Sequence, residues 1–218
     1  MKLYYNPLST YSQKVLMALY EKNVPFEPSI VSVGTPEGRA AYEAIYPIGK
    51  IPLLKPTEDY SIPESTIIIE YLEGHYPQGT RLIPEGTDAA RQVRFCDRMC
   101  DLYLNDACVA ILGQQRGFAP QTERQLASAA KHLKVSYGFL DKRLSNQEWL
   151  CGAFSMADCA ALPPLYYCQE VAPFKEYPNI VKYFERGKKR PSYAKVLAEF
   201  GPFMEKLQAQ RAAQQSAA

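Results

Sequence analysis

Two hydrophobic rhythms divide the chain. In the first third, short apolar runs alternate with helical spacing. The stretch KLYYN (2–6) is apolar to semi-polar and closes at Asn6-Pro7, where proline ends ladder pairing, so it predicts a strand. Val15, Leu16, Leu19 and Tyr20 then recur at helical spacing. They predict a helix from Ser12, as N-cap, to Asn23, with Pro25 unable to continue it. FEPSIVSV (26–33) predicts a second strand, and strand-helix-strand order favours a right-handed parallel unit. Residues 34–49 are rich in Gly and Pro, with room for a short helix near 37–45. KIPLLK (50–55) and the turn DYSIPES (59–65) predict two more short strands. ESTIIIEYLEGHY (64–76) predicts a helix with Ser65 at its start and Ile68, Ile69 and Leu72 on one face. Its β-branched run Thr66–Ile69 is a poor intrinsic helix former, so this helix needs tertiary packing.

Residues 77–87, rich in Pro and Gly, read as a linker between a first domain (1–76) and a second (88–218). Beyond it the spacing is helical almost to the end. One long amphipathic helix is expected over 89–115, a second over 121–146 capped by Thr122, and a third over 154–171 with a double proline inside. Ser155 and Asp158 of that third segment form a capping-box pattern. Residues 177–190 and 191–208 supply two more helices, and the polar tail 209–218 is expected to fray. No internal repeat is visible.

The chain is 47% hydrophobic and 22% charged, a composition that supports a real core. A net charge of +2 points away from nucleic acid and from a polybasic membrane contact. With 16 tyrosines against one tryptophan, much amphipathic aromatic surface is available for clefts and interfaces, although most tyrosines serve packing. The six cysteines form no CxxC pair, and neither His75 nor His132 lies at ligand spacing from them, so no metal site is expected. Cys96 and Cys100 stack on one helix face and read, like the others, as small buried residues in a reducing compartment. The first residues lack an apolar leader and no apolar run reaches membrane-spanning length, so the expected location is cytoplasmic.

Four stretches, in this order and spacing, carry a resemblance over essentially the whole chain: PLSTYSQKVLMAL (7–19), YPIGKIPLL (46–54), PESTIIIEYL (63–72) and FSMADCAAL (154–162). The sequence resembles the cytosolic glutathione transferases. That resemblance implies an α/β plus all-α fold, a thioredoxin-like glutathione-binding domain followed by an all-helical domain that carries a second-substrate pocket and the contacts of a homodimer. It implies a cis Ile51-Pro52 bond that leaves the Ile51 backbone free to pair with an extended peptide. The hydroxyl and N–H of Ser65, at a helix N-terminus, would bind the carboxylate of the γ-glutamyl end of glutathione, and Glu64 its ammonium. Both residues are equally well read as an ordinary helix start. Lys50 is placed for the glycine carboxylate, with Arg39 a weaker candidate.

The thiol of the co-substrate would then meet the serine-rich start of the first helix. Lowering a thiol pKa from about 8.5 by roughly two units takes about 2.7 kcal/mol. One hydroxyl hydrogen bond to a charged acceptor supplies about 1.5–3 kcal/mol and the helix dipole up to about 1. A hydroxyl donor therefore suffices without a general base. The pattern Ser9-Thr10-Tyr11-Ser12-Gln13-Lys14 best matches the serine-type members with Ser9 catalytic, while Thr10, Ser12 and Tyr5 stay open as alternatives. No cysteine occurs before residue 96, which argues against the cysteine-type members. Tyr46 and Lys14 depart from the Asn and Arg common in relatives. The implied reaction is attack of the glutathione thiolate on a small apolar electrophile, in a pocket expected between Leu8, Tyr11, Phe95, Met99 and Tyr103. The same thiolate chemistry also serves isomerases, dehalogenases and ether-cleaving enzymes, and some proteins of this fold are non-catalytic binding modules.

Overall fold

The computed structural model describes residues 1–216, with side chains through Ala209. Strand β1 (Lys2–Tyr5) leads to helix α1 (Thr10–Glu21) and to β2 (Glu27–Ile30), which pairs parallel with β1. Helix α2 (Pro36–Glu43) precedes β3 (Leu53–Lys55) and β4 (Ile62–Pro63), each antiparallel to its neighbour, giving a four-stranded sheet in the order β2-β1-β3-β4. Leu3 and Tyr5 of β1 point inward, as the period of a strand requires. Helix α3 (Ser65–His75) buries Ser65, Ile68, Ile69 and Leu72 and packs against α1, which supplies the tertiary support its β-branched run needs.

The second half is helical: α4 (Thr87–Met99), α5 (Asp106–Arg116), α6 (Glu123–Arg143), α7 (Met156–Val171), α8 (Pro178–Lys188) and α9 (Pro191–Ser216). The helix expected to run unbroken over 89–115 is instead interrupted by a π-helical turn, Cys100–Asn105, between α4 and α5. Such a turn widens the hydrogen-bonded ring by one residue and rotates every side chain after it relative to a uniform α-helix. Helix α7 runs through Pro163 and Pro164 and is buried along most of its length. The tail expected to fray is helical through Ser216, while Ala217 and Ala218 lie outside the described residues. Among the described residues no helix is long and apolar enough to cross a membrane.

Helix α1 is the shared element. It packs against α3 on one side and against α7 and α9 on the other, so residues from Thr10 through Leu19 are almost all buried. Further ties join the halves. Glu21 accepts from Arg190 at 2.6 and 2.7 Å and from Thr80 at 2.5 Å. Tyr5 and Tyr20 both donate to Glu199 of α9, while within the first half Lys22 meets Glu73 at 3.1 Å. The start of α7 follows its capping pattern: Asp158 reaches back and accepts from Ser155 N–H at 2.9 Å and from Ser155 Oγ at 3.1 Å. Its other oxygen accepts from Leu150 N–H and from the Tyr183 hydroxyl, both at 3.0 Å.

Burial pushes the Asp158 carboxyl up to about 6, against the pull of these donors. Its folded-state value thus lies above the unfolded one of about 3.9, so its contribution to stability is full below about pH 4 and is lost as pH rises through about 6. Urea unfolding of the wild type and of Asp158→Asn across that range should show the difference between them shrinking with rising pH, by up to about 3 kcal/mol. A difference independent of pH would contradict the shift.

Candidate active site

The loop from β1 to α1 is held by a closed set of hydrogen bonds. Asn6 Oδ1 accepts from Leu8 N–H at 3.0 Å, Asn6 Nδ2 donates to Val31 O at 2.9 Å, and Ser9 N–H donates to Asn6 O at 2.9 Å. Gln13 Nε2 reaches back to Pro7 O at 2.7 Å, and the Tyr167 hydroxyl of α7 donates to Leu8 O at 2.7 Å. The helix N-cap is Ser9, not Ser12 as the spacing of apolar residues suggests. Ser9 has extended backbone angles and its Oγ accepts from Ser12 N–H at 3.2 Å. Thr10 and Tyr11 are already helical; neither is apolar enough to register in the hydrophobic repeat, so the helix starts earlier than the pattern shows.

This geometry separates the four hydroxyl candidates. Ser12 is fully buried and its Oγ accepts from Asn6 N–H at 3.3 Å. Thr10 is 6% exposed, and Tyr5 is 2% exposed with its hydroxyl on Glu199. Ser9 is partly exposed, and capping uses only an acceptor position of its oxygen, leaving its proton to donate outward.

Around the start of α3 lies a cavity of about 240 Å³, lined on one side by Tyr46, Lys50, Ile51, Pro52, Glu64 and Ser65. The Ile51-Pro52 bond is cis. Gly49, with φ +67°, turns the chain into Lys50, whose carbonyl accepts from the buried Tyr42 hydroxyl at 2.8 Å. Glu64 is the N-cap residue of α3 but makes no side-chain cap, so the first-turn N–H groups of the helix are left without one. Its φ of +66° is a left-handed conformation that a glutamate holds only when its surroundings impose it. Four residues singled out in the sequence, Lys50, Ile51, Glu64 and Ser65, are thus brought to one cavity. Ser9 is not among its lining residues; Tyr11, two positions on, is. Arg39 lies elsewhere, donating to Val33 O at 2.8 Å.

The opposite wall is the helical half: Arg98, Asp101, Leu102 and Asp106. Of the expected pocket residues Tyr11 lines this cavity, and Leu8, Phe95, Met99 and Tyr103 do not. Phe95 and Tyr103 are 47% and 39% exposed, stacked edge-on against Phe139 and His132 of α6, and Met99 sits over α6 with Ser136 and Phe139. Leu8 is partly buried against the core. The apolar stripe 95-99-103 faces α6, while Arg98, Leu102 and Asp106, two of them charged, face the cavity. Tyr11 crosses between the halves, donating to Asp106 Oδ1 at 2.7 Å. Burial, and then that carboxylate, push its phenol far up, so it stays a neutral donor already engaged.

Behind this wall Lys14, 1% exposed, ends in a buried ionic cluster. Its Nζ lies 2.6 Å from Asp97 Oδ1, 2.8 Å from Asp101 Oδ2 and 2.9 Å from Thr66 Oγ1. Thr66 donates in turn to Asp97 Oδ2 at 2.7 Å, and Arg98 closes on Asp101 from the cavity side. Burial pushes the Asp97 carboxyl up and Lys14 pulls it down, with burial the larger. The missed residues left one clue: a lysine inside the apolar run of α1 demands a buried counter-charge.

Comparison with known proteins finds matches to both halves of the chain. Residues 3–80 match the family model "Glutathione S-transferase, N-terminal domain" and residues 99–191 "Glutathione S-transferase, C-terminal domain". A glutathione S-transferase of Silene vulgaris is 31% identical over 215 residues, covering 90% of this chain and 96% of its own. The maleylacetoacetate isomerase of Pseudomonas aeruginosa is 30% identical over 172 residues, 76% of this chain and 80% of its own. Among solved structures, a glutathione S-transferase from Methylobacillus flagellatus with GSH bound superposes at a TM-score of 0.79 with 28% identity, covering 89% of this chain and 98% of that one.

Lys14→Met should cost about 3–5 kcal/mol in chemical denaturation, because it strands buried carboxylates. The double variant Lys14→Met with Asp97→Asn should recover part of that loss. Equal stability of wild type and Lys14→Met would show that the cluster carries no weight.

Proposed function

The chain belongs to the glutathione S-transferase family, and from that premise we propose that it binds glutathione at Lys50, Ile51, Glu64 and Ser65, holds the sulfur as a thiolate against Ser9, and delivers it to a small apolar electrophile. The observation that carries this reading is the convergence of an uncapped helix N-terminus, Ser65 with Glu64 beside it, and the backbone before a cis proline on one cavity. The α3 N-terminus suits a carboxylate and Glu64 an ammonium, so the pair reads an amino-acid head. Ile51 offers main-chain pairing to the extended tripeptide and Lys50 a cation to its far carboxylate. Running from there toward α1, the cysteine sulfur meets Ser9, whose proton is uncommitted while Tyr11 is engaged by Asp106. The thiolate then attacks the electrophilic carbon; a bond forms from sulfur to carbon, and the leaving group or the displaced electron pair takes up a proton from solvent. A homodimer and a cytoplasmic location belong to the same reading.

A second reading has support from the isomerase among the relatives: the thiolate adds to a substrate double bond, the adduct rotates, and the thiolate leaves. Glutathione consumption separates the two, since conjugation removes one thiol per turnover and isomerisation removes none.

Wild-type protein should be retained on immobilised glutathione and show thiolate absorbance in the complex near neutral pH. Ser9→Ala should keep the retention, lose the thiolate absorbance, and lower kcat/KM about 10- to 100-fold, the loss of one charge-assisted hydrogen bond. Glu64→Ala should lose retention. Unchanged thiol titration and turnover in Ser9→Ala would remove the serine from this role, and no retention of the wild type would favour a non-catalytic module.

A further inference from the structure

Five of the six cysteines are buried; Cys151 alone is partly exposed. It sits in a tight turn ahead of α7, where Trp149 pairs with Gly152 and Cys151 with Ala153, and where Gly152 has φ +87°. The turn is pinned on both sides. Leu150 N–H goes to Asp158, and Leu150 O accepts from Arg143 Nε at 2.5 Å and Gln147 Nε2 at 2.7 Å. This anchoring leaves Arg143 Nη2 at 3.9 Å from Cys151 Sγ. On the other side the sulfur lies 3.9 Å from the carbonyl of Gln92, one helical turn before Cys96 on the same face of α4. A helical side chain leans back over the turn before it, so the buried Cys96 thiol covers the same turn of α4 that Cys151 Sγ approaches.

We propose that Cys151 and Cys96 are a peroxide-oxidised dithiol, with Cys151 the attacking sulfur and Cys96 the resolving one. The parts suit those roles. A reactive cysteine needs exposure, a neighbouring cation and a partner thiol, and Cys151 has all three. The neighbouring Cys96 thiol, with help from Arg143, holds the Cys151 thiol below its ordinary range against burial, whereas Cys151 and burial push Cys96 up. Cys151 thiolate attacks one oxygen of a hydroperoxide. The O–O bond breaks, the departing oxygen leaves as hydroxide or alkoxide and takes a proton, and Cys151 becomes a sulfenic acid. Cys96 sulfur then attacks the Cys151 sulfur, the S–S bond forms, and the Cys96 proton leaves with the hydroxyl as water. The peroxide gains two electrons and the two thiols lose two. Cys108 and Cys168 make a comparable buried pair, with Cys108 Sγ on Pro164 O at 3.6 Å and neither sulfur partly exposed, and serve as an internal control.

The test treats the full-length, fully reduced protein with stoichiometric hydrogen peroxide, blocks remaining thiols, and maps the peptides by mass spectrometry without reduction. The expected result is a 96–151 disulfide with loss of two hydrogens from the intact mass, while Cys108 and Cys168 remain alkylatable after unfolding. Cys96→Ala should trap the sulfenic acid at Cys151 as a dimedone adduct, and Cys151→Ser should show neither product. Arg143→Gln should slow the reaction several-fold. Free Cys96 and Cys151 after treatment, over-oxidation of Cys151 without a bridge, or equal oxidation of Cys108 and Cys168 would each overturn the proposal.

Discussion

A single ammonium, Lys14 Nζ, holds the two halves in register. It sits within 3 Å of a threonine of α3, an aspartate of α4 and an aspartate of the π-helical turn, all in a space with almost no access to water. Removing three charged groups from solvent is costly, and such clusters often contribute little net stability over an apolar replacement. What this one contributes is geometry. An apolar surface slides against another with little penalty, whereas a misplaced charge in a dry interface loses several kcal/mol. The cluster therefore fixes how α1, α3 and α4 meet.

That placement matters because each half supplies only part of the cavity. The first half brings backbone groups and a helix start: Ile51 beside its cis proline, and the open N-terminus of α3 at Glu64 and Ser65. The second brings side chains, among them Arg98, Leu102 and Asp106. The π-helical turn connects the two tasks. It lies where Asp101 turns inward to Lys14 and where Asp106 receives Tyr11, so the same irregular segment anchors the joint and forms the wall. Ser9 illustrates how little apparatus is needed to present a donor. One oxygen caps the helix as an acceptor and so keeps its own proton for another partner, and the loop around it is pinned by Asn6, Gln13 and Tyr167.

Much of this was legible in the order of residues. Alternation and 3.6-residue spacing report which side of an element meets the core, and that property is local, so the sheet, α1, α3 and the helical half follow from it. The Asp158 capping pattern and the Thr122 cap are likewise short-range and recur in the structure. The helix start at Ser9 was less legible because Thr10 and Tyr11 carry no apolar signal. The pocket wall was misread for a related reason: an apolar stripe at 95, 99 and 103 looks like a lining, but its aromatic members pair with α6, and the face that meets the cavity is charged.

The sequence by itself determined the order of the elements and most of their extents, because each depends on neighbours within a few positions along the chain; that residues near 50 and 64 share a site was implied by the family resemblance. Tertiary structure alone decided which acids answer Lys14, that the helix near residue 100 widens into a π turn, that Cys151 lies against the turn of α4 that leads to Cys96, and which face of α4 looks into the cavity. Those outcomes depend on residues tens of positions apart, brought together by two halves packing on one helix, and no periodicity along the chain records how one surface is turned toward another.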